Sequence, residues 1–507
     1  MIKDSFAAYL LLPLSNEYGE SRTKKVLTSV GNAFKSSFFY GLLRAYLYRG
    51  YGVLSCGLTA FFNAVLGLFG KLCDKVMPVL ENSFFFRFVH FIVSKKTVFL
   101  CILTAYPFTD LIIRKTAGVL AGPWDELYFF AMLLLLVFDF AYNHKGRKYV
   151  TSPLNIPVLI FLAVMFGCYF VVSPDRTIGF EGMRAVCEYI FWFYLVLKLC
   201  DSDEIAKDLC ICLFVVLSIM ALHGIYQYIV AAPMPASWVD HNEAGVRTRV
   251  YSILTSPNVL GGLFTLTIPI GVGLFLEETA KVKKALYGFF LLCMCAALVF
   301  TFSRGAWMGF MVAVIVFVLF YNPKLLAPVI ILAVLAAFLV PEVGNRISYM
   351  LSADYIESSM NGGRLIRWID GLKVWSYGKL TGVGLGHFGG AVAINHGMQY
   401  LVADEYMETF YMDNYYLKTM IETGVVGLIA FVFLMYQVFL NSVRAVKLSA
   451  EHKYLKIGIM SGLFGIIVHN LVENIFEVPL MSTEFWIFAA VLMSFWYRAA
   501  VNKKQTN

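Results

Sequence analysis

The dominant feature of this sequence is a succession of long apolar segments that begins at about residue 97. Each segment has roughly the ~20 apolar residues that an α-helix needs to cross the hydrocarbon core of a bilayer. A transmembrane β-barrel would show short strands of alternating polarity, whereas these runs are continuous. The sequence therefore predicts an all-α polytopic membrane protein with about 12 transmembrane helices. The runs cover residues 97–116, 124–142, 155–173, 180–200, 208–231, 257–276, 284–303, 305–321, 324–340, 415–440, 455–476 and 482–500.

The composition agrees with this class. Of the 507 residues, 59% are hydrophobic and only 15% are charged, which excludes an ordinary soluble enzyme, a fibrous repeat and a disordered chain. The formal net charge of +8 does not indicate nucleic acid as a partner, because most of the excess lies in one segment near the start.

The orientation follows from the loops that are rich in Lys and Arg. They are residues 143–149, 277–285 and 444–456 together with the C-terminal end, and with twelve spans all of them fall on one side. By the positive-inside rule that side is cytoplasmic, so both termini, including a tail at 501–507, are expected there. The longest connection, at about 341–414, precedes the tenth span and should be extracytoplasmic. Arg114 and Lys115 are exceptions to the pattern.

Residues 1–96 form a basic segment rich in aromatic residues, with twelve Lys and Arg against five Asp and Glu. Such a segment is typical of one that lies on an anionic cytoplasmic leaflet, and docking of partners in envelope synthesis is a further role considered for it. The start is not typical of a cleavable signal sequence. The apolar stretch at 52–70 is predicted to be interfacial or re-entrant, because a crossing there would place the basic N-terminus outside. The spans then occupy 97–500.

No disulfide, metal site or cofactor is predicted. Most of the ten cysteines lie within apolar runs, where they are expected to be small buried hydrophobic residues. Two acidic groups resemble metal ligands but lack diagnostic spacing, and solvated loop charges are the favoured interpretation. These groups are Asp240, His241 and Glu243, and Asp404, Glu405 and Glu408.

Several arginines fall at or beside the outer ends of the predicted helices. They are Arg247, Arg249, Arg304, Arg364 and Arg367. Because the guanidinium group binds phosphate in a bidentate manner, a converging set predicts a diphosphate site at the bilayer surface. The alternative for each arginine is contact with lipid phosphate. The glycine-rich stretch at 381–390 is expected to be a bend of the large loop, because it lacks the Lys-Ser/Thr of a P-loop.

One further group of polar residues lies near the outer end of the eleventh run. It contains His469, Asn470, Glu473 and Glu477. Ionisable residues at membrane depth are functional candidates, but hydrogen bonding between helices explains them equally well.

Four sequence blocks resemble a known family when taken in order. They are RVYSILTSPNVLGGLFTLTIPI, TFSRGAWMGF, GGRLIRWIDGLKVWSYGKLTGVGLGHF and DNYYLKTMIETGVVGLIAF. Together they resemble the bacterial O-antigen ligase and O-antigen polymerase superfamily over roughly residues 97–500, whereas the first ~95 residues have no recognised counterpart.

The resemblance implies a metal-independent C-type glycosyltransferase in the bacterial plasma membrane. Its donor would be a saccharide linked to a polyprenyl (undecaprenyl) diphosphate on the outer face, and its acceptor a glycan or another component of the cell envelope. In that family, arginines of the outer loops hold the diphosphate, a role that here falls to Arg249, Arg304 and Arg364.

The sequence departs from the family at one position. Ligases of the family usually have His before the Asn that precedes the helix after the large loop, whereas this chain has Asp413 before Asn414. Asp413 resembles the acidic residue of the related peptidoglycan polymerases, which implies a catalytic role and favours a polymerase or a ligase with another acceptor. The alternative is that Asp413 caps a helix that starts at about Tyr415. If so, the base would be Asp404, Glu405, Glu408 or His387.

Two other functional classes remain as alternatives. A transporter or flippase of a lipid-linked oligosaccharide would predict two related halves and broken spans near the membrane centre, and the sequence shows no such halves. A noncatalytic partner of an envelope-synthesis complex is the third alternative.

Overall fold

The computed structural model describes residues 57–233, 248–254, 256–339, 344, 348–349, 352–402 and 405–506. Two compact units divide the chain, Met1–Val65 and Leu66–Asn507. The described residues of the first unit, 57–65, are helical. The second unit is also almost entirely α-helical, and in its described part the only sheet is a two-stranded antiparallel ribbon that pairs Gln399 with Glu408.

Among the described residues, thirteen α-helices precede the large connection. They are α1 (Gly57–Leu80), α2 (Phe84–Ser94), α3 (Lys96–Thr104), α4 (Tyr106–Thr116), α5 (Trp124–Asn143), α6 (Asn155–Val171), α7 (Arg176–Cys187), α8 (Phe191–Leu199), α9 (Asp203–Ile229), α10 (Pro257–Glu277), α11 (Lys281–Phe300), α12 (Arg304–Tyr321) and α13 (Leu326–Leu339).

The remaining elements belong to the large connection and the C-terminal helices. They are α14 (Ala353–Met360), α15 (Arg364–Trp375), α16 (Ala391–Asn395), β1 (Gln399–Val402), β2 (Glu405–Glu408), α17 (Tyr415–Leu448), α18 (Lys453–His469) and α19 (Pro479–Thr506).

Each predicted apolar run is largely helical in its described residues, but four runs are interrupted. The run at 415–440 is broken at Gly424, and the run at 455–476 leaves the α-helix after His469 and ends in a 3-10 turn at Ile475–Glu477. The run at 97–116 consists of α3 and α4, which are bent by 52° where Pro107 opens the second helix. The run at 180–200 is split between α7 and α8 by a 3-10 turn at Glu188–Ile190.

Six of the described helices are long and apolar enough to cross a membrane, or seven if the bent pair is one span. The six are α9, α10, α11, α12, α17 and α19. The all-α polytopic class is therefore confirmed, whereas the count of twelve spans stays a prediction.

The centre of the bundle is the contact of α18 with α10 and α12. A Cβ at Gly462 would lie 2.2 Å from the carbonyl oxygen of Leu266, and one at Gly458 would lie 2.3 Å from that of Pro269. Glycines at these positions let the two backbones touch, which is the usual basis of close helix packing in membranes.

The basic loops meet at one end of the bundle. There Arg147 pairs with Asp201 at 2.8 Å, Arg498 pairs with Asp203, and His452 pairs with Glu277 at 2.9 Å. Glu277 is the last residue of α10, a helix of 21 residues and hence ~30 Å long. The start of α10 therefore lies about one bilayer core away from these loops, at the opposite end. Which end faces the cytoplasm stays a prediction.

Helix α1 covers the described part of the apolar stretch at 52–70 and continues beyond it. Its later turns carry Lys71, Asp74 and Lys75, and within the second unit Asp74 lies 3.3 Å from the Nε2 atom of His144. This helix is not among those apolar enough to cross a membrane, and its interfacial position stays a prediction. The nine cysteines in the described residues are free thiols.

Candidate active site

The glycine-rich stretch at 381–390 packs on α17 and attaches the large connection to this helix. Gly424 of α17 has φ +67, which breaks the helix, and the amides of Val383 and Gly384 donate to the carbonyls of Ile421 and Glu422 at 3.0 Å each. Four glycines of the stretch also have positive φ, as a tight bend requires: Gly382, Gly384, Gly386 and Gly389. The stretch is a structural bend, in agreement with the prediction.

Helix α15 presents two of the predicted arginines on one face. Arg364 and Arg367 are three residues apart, so their side chains project to the same side. The Nη1 atom of Arg367 donates to Oδ2 of Asp413 at 3.1 Å, and the Nε atom of Arg364 lies 3.9 Å from the same oxygen. The Nη2 atom of Arg364 donates to Oε2 of Glu473 at 2.8 Å. Two cationic side chains thus share two carboxylates.

Arg249 reaches the same group from the segment that precedes α10. Its Nε atom donates to the carbonyl of Thr301 at 3.0 Å, and its Nη2 atom donates to Oδ1 of Asn258 at 2.9 Å. Burial raises the pKa of the Glu473 carboxyl, and the nearby Arg364, Asn258 and Arg249 oppose that rise. Glu473 thus pairs with Arg364 and is close enough to Asn258 and Arg249 to link them to the same cluster.

Arg304 adjoins this cluster as the first residue of α12. The turn before it is capped by the Ser303 hydroxyl, which accepts from the Ala306 amide at 3.3 Å, and its guanidinium carbon lies 5.2 Å from the centre of the Tyr355 ring. A Cβ at the next residue, Gly305, would lie 2.9 Å from the imidazole of His469. The helix start is therefore packed against the segment that leads to Glu473. Arg247 lies outside the described residues.

Asp413 is not the residue that caps α17, which was the alternative role considered for it. The side chain of Asn414 caps α17, because its Oδ1 atom accepts from the Leu417 amide at 2.9 Å. The Asp413 side chain is 13% exposed and points instead to Arg364 and Arg367.

The alternative bases differ in their availability. His387 is buried, and both of its ring nitrogens are engaged: Nδ1 lies 2.8 Å from the Leu385 carbonyl, and Nε2 accepts from the Asp175 amide at 3.3 Å. Glu408 is exposed on the ribbon. Asp404 and the side chain of Glu405 lie outside the described residues. Of the candidate bases in the described residues, Asp413 is therefore the one that contacts the arginines, and Glu473 lies beside it.

A second layer of polar side chains supports the cluster. The Tyr411 hydroxyl donates to the Asn474 carbonyl at 2.9 Å, next to Glu473. Burial and the nearby Glu477, Glu473 and Asp413 raise the pKa of Tyr411 well above its usual range. This shift agrees with a hydroxyl that stays neutral beside a group of carboxylates and fixes the loop that carries them.

Buried ionic contacts continue this layer towards the core. The Nζ atom of Lys418 donates to Oε2 of Glu422 at 2.8 Å. Glu477 accepts hydrogen bonds from the Ala391 amide and from the Asn474 side chain. Of the four polar residues near the outer end of the eleventh run, Glu473 therefore belongs to the arginine cluster, and Glu477 belongs to the layer that supports it.

Sequence reasoning missed Asn258, Thr301 and Tyr411. Asn258 and Thr301 lie inside quoted family blocks, but nothing in their residue type marks them as partners of Arg249. Tyr411 precedes Asp413 by two residues, a spacing that carries no signal of its own.

Fold and site together define a polytopic α-helical membrane protein with an arginine–carboxylate cluster at the end opposite its basic loops. Residues 289–432 match the family model described as O-antigen ligase. The match includes Arg304, Arg364, Arg367 and Asp413, and it confirms the resemblance to the O-antigen ligase and polymerase superfamily. It indicates glycan transfer of the O-antigen ligase kind by a glycosyltransferase-like enzyme. A comparison with curated proteins finds no match.

Proposed function

We propose that the protein transfers a saccharide from a polyprenyl diphosphate to a glycan or another envelope acceptor, on the outer face of the bacterial plasma membrane. The observation that carries the proposal is the convergence of Arg364 and Arg367 on Asp413, within the region that matches the O-antigen ligase family. Arginines supply the charge for a diphosphate, and the carboxylate supplies a proton acceptor.

The arginines serve as the counter-ions of the diphosphate. The planar guanidinium group offers parallel N–H donors that match phosphate oxygens, and Arg249, Arg304, Arg364 and Arg367 approach from three separate helix starts or loops. A donor that binds here competes with Asp413 and Glu473 for Arg364, so donor binding rearranges these ion pairs.

The transfer step then follows from the same contacts. The acceptor hydroxyl oxygen attacks the anomeric carbon of the donor sugar, the bond from that carbon to the diphosphate oxygen breaks, and the diphosphate leaves with its lipid. Asp413 takes the hydroxyl proton once its arginines turn to the diphosphate. The arginines stabilise the negative charge that develops on the leaving oxygen.

The lipid-linked glycans that accumulate when the protein is removed test this function. Single repeat units accessible at the outer face would identify a polymerase, and full-length chains would identify a ligase. Accumulation confined to the inner face would identify a flippase, and unchanged pools would overturn the proposal.

A further inference from the structure

A small pocket with several polar lining residues lies at the same end of the bundle as the arginine cluster. Its polar lining residues are Tyr106 of α4, Asp125 of α5, Tyr189 of the 3-10 turn, and Thr483 and Glu484 of α19, and its apolar ones are Leu103, Trp192, Leu480 and Ile487. Asp125 is in the first turn of α5, whose far end leads to Arg147, and Glu484 is near the start of α19, whose far end carries Arg498. The proposed reaction uses none of these lining residues.

One carboxylate in this pocket lacks any visible compensation. Glu484 is 4% exposed, and its Oε2 atom has no hydrogen-bond partner among the described residues. Among the residues that the structure describes, no Lys, Arg or His forms an ion pair with Glu484. A buried carboxylate at membrane depth is costly unless a proton or a cation neutralises it.

The second carboxylate adds to the negative charge. Asp125 accepts a hydrogen bond from the Tyr106 hydroxyl, and the Tyr189 hydroxyl lies 3.5 Å from its Oδ2 atom. Among the described residues, the guanidinium that pairs with Asp125 is that of Arg114, at 4.0 Å, but the Nε atom of Arg114 is bound to Asp110 at 2.8 Å. One arginine is therefore shared between two carboxylates, and neither of its contacts reaches Glu484.

The size of the pocket restricts what can neutralise it. Its enclosed space is about 10 Å³, which admits one water molecule or one small ion and excludes a sugar ring. Carboxylate and hydroxyl oxygens are hard ligands of the kind that alkali and alkaline-earth cations prefer. Because Glu484 forms no ion pair with a Lys, Arg or His of the described residues, a single positive charge neutralises it.

We propose that this pocket binds one small monovalent cation, Na⁺ by its size, between α5 and α19. Glu484 is the principal ligand, and the Thr483 hydroxyl and Asp125 complete the oxygen set. The bound ion clamps the outer end of α19, the helix that directly follows the Glu473–Glu477 segment.

The test uses the purified full chain in nanodiscs at constant pH and ionic strength. Replacing choline chloride by NaCl should raise the melting temperature by a few degrees in a saturable manner. Equilibrium binding of radioactive sodium should give one site per chain. Glu484→Gln should abolish both effects. The matched control Glu188→Gln, a half-buried glutamate on the adjacent turn, should retain them.

Several outcomes would overturn the cation site. They are equal stability in choline and sodium, sodium binding that persists in Glu484→Gln, stabilisation by acid alone, which would assign a proton, and a response restricted to divalent ions. If Glu484→Gln does not fold, the nearly isosteric Thr483→Val should weaken sodium binding several-fold in a folded protein. Unchanged affinity in Thr483→Val would count against the site.

Discussion

At Asp413, two arginines from one helical face meet a single carboxylate oxygen. The adjacent Asn414 caps the next helix, so the two neighbours have separate tasks. A substitution at Asp413 can therefore change the chemistry of the site without removing the cap.

Asp413→Asn should lower glycan transfer by ~10²- to 10⁴-fold, because an amide cannot accept the hydroxyl proton. Thermal unfolding should change little, since Asn414 still caps α17. Transfer by the purified variant and its melting curve are the measurements. Undiminished transfer at normal stability would show that the carboxylate is structural.

Arg364→Lys should reduce transfer by roughly 10- to 100-fold although the charge is preserved, because an ammonium lacks the planar fork of N–H donors that matches the oxygens of the diphosphate. Initial rates over a range of donor concentrations measure the effect. The control is Arg176→Lys, an exposed arginine that donates to the Tyr169 carbonyl at 2.7 Å. If Arg364→Lys retains the wild-type rate, as the control should, the diphosphate assignment is wrong.

Glu473 should make stability depend on pH in a defined direction. Its pKa is raised in the folded protein, so the folded state holds this proton over a range in which the unfolded state has lost it. Stability is therefore greatest below the ordinary glutamate pKa and falls as pH rises towards the raised value. The melting temperature of the wild type should fall with rising pH across this range relative to that of Glu473→Gln. Parallel curves for the two proteins would contradict the raised pKa of Glu473.

At the scale of elements, the glycine contacts hold α10, α12 and α18 together. Gly462→Ala places a methyl group 2.2 Å from the Leu266 carbonyl oxygen, and we expect it to destabilise the protein by ~1–3 kcal/mol. Gly167→Ala in α6 is the matched control, because a Cβ there meets nothing within 4 Å. Denaturation in detergent compares the two. Equal stability of the two variants would mean that α10 and α18 can move apart to accept the methyl group at no cost.

At the scale of the whole molecule, the basic loops and the arginine cluster lie at opposite ends of the bundle, so the two ends are predicted to face opposite sides of the membrane. Ala391→Cys should react with an impermeant thiol reagent in intact cells, whereas Lys283→Cys should react only after permeabilisation. Both positions are exposed, and the exposed Cys101 is first replaced by Ser. The reverse labelling pattern would place the arginine cluster on the cytoplasmic side.

Local sequence was sufficient to predict the helices and the residue types of the site. An apolar run of about twenty residues forms a helix in lipid whatever its neighbours are, because its backbone must satisfy its own hydrogen bonds. The interruption at Glu188–Ile190 and the break at Gly424 were not predictable, since packing against other segments determines them.

The pairing within the site was decided by the tertiary structure alone. Arg364 and Glu473 are 109 residues apart, and Arg249 and Thr301 are 52 apart. No periodicity links residues at such distances. The close approach of the α10 and α18 backbones and the docking of the glycine-rich bend on α17 bring them together. Sequence determined which charges the protein carries at this end, and packing determined which charges neutralise one another.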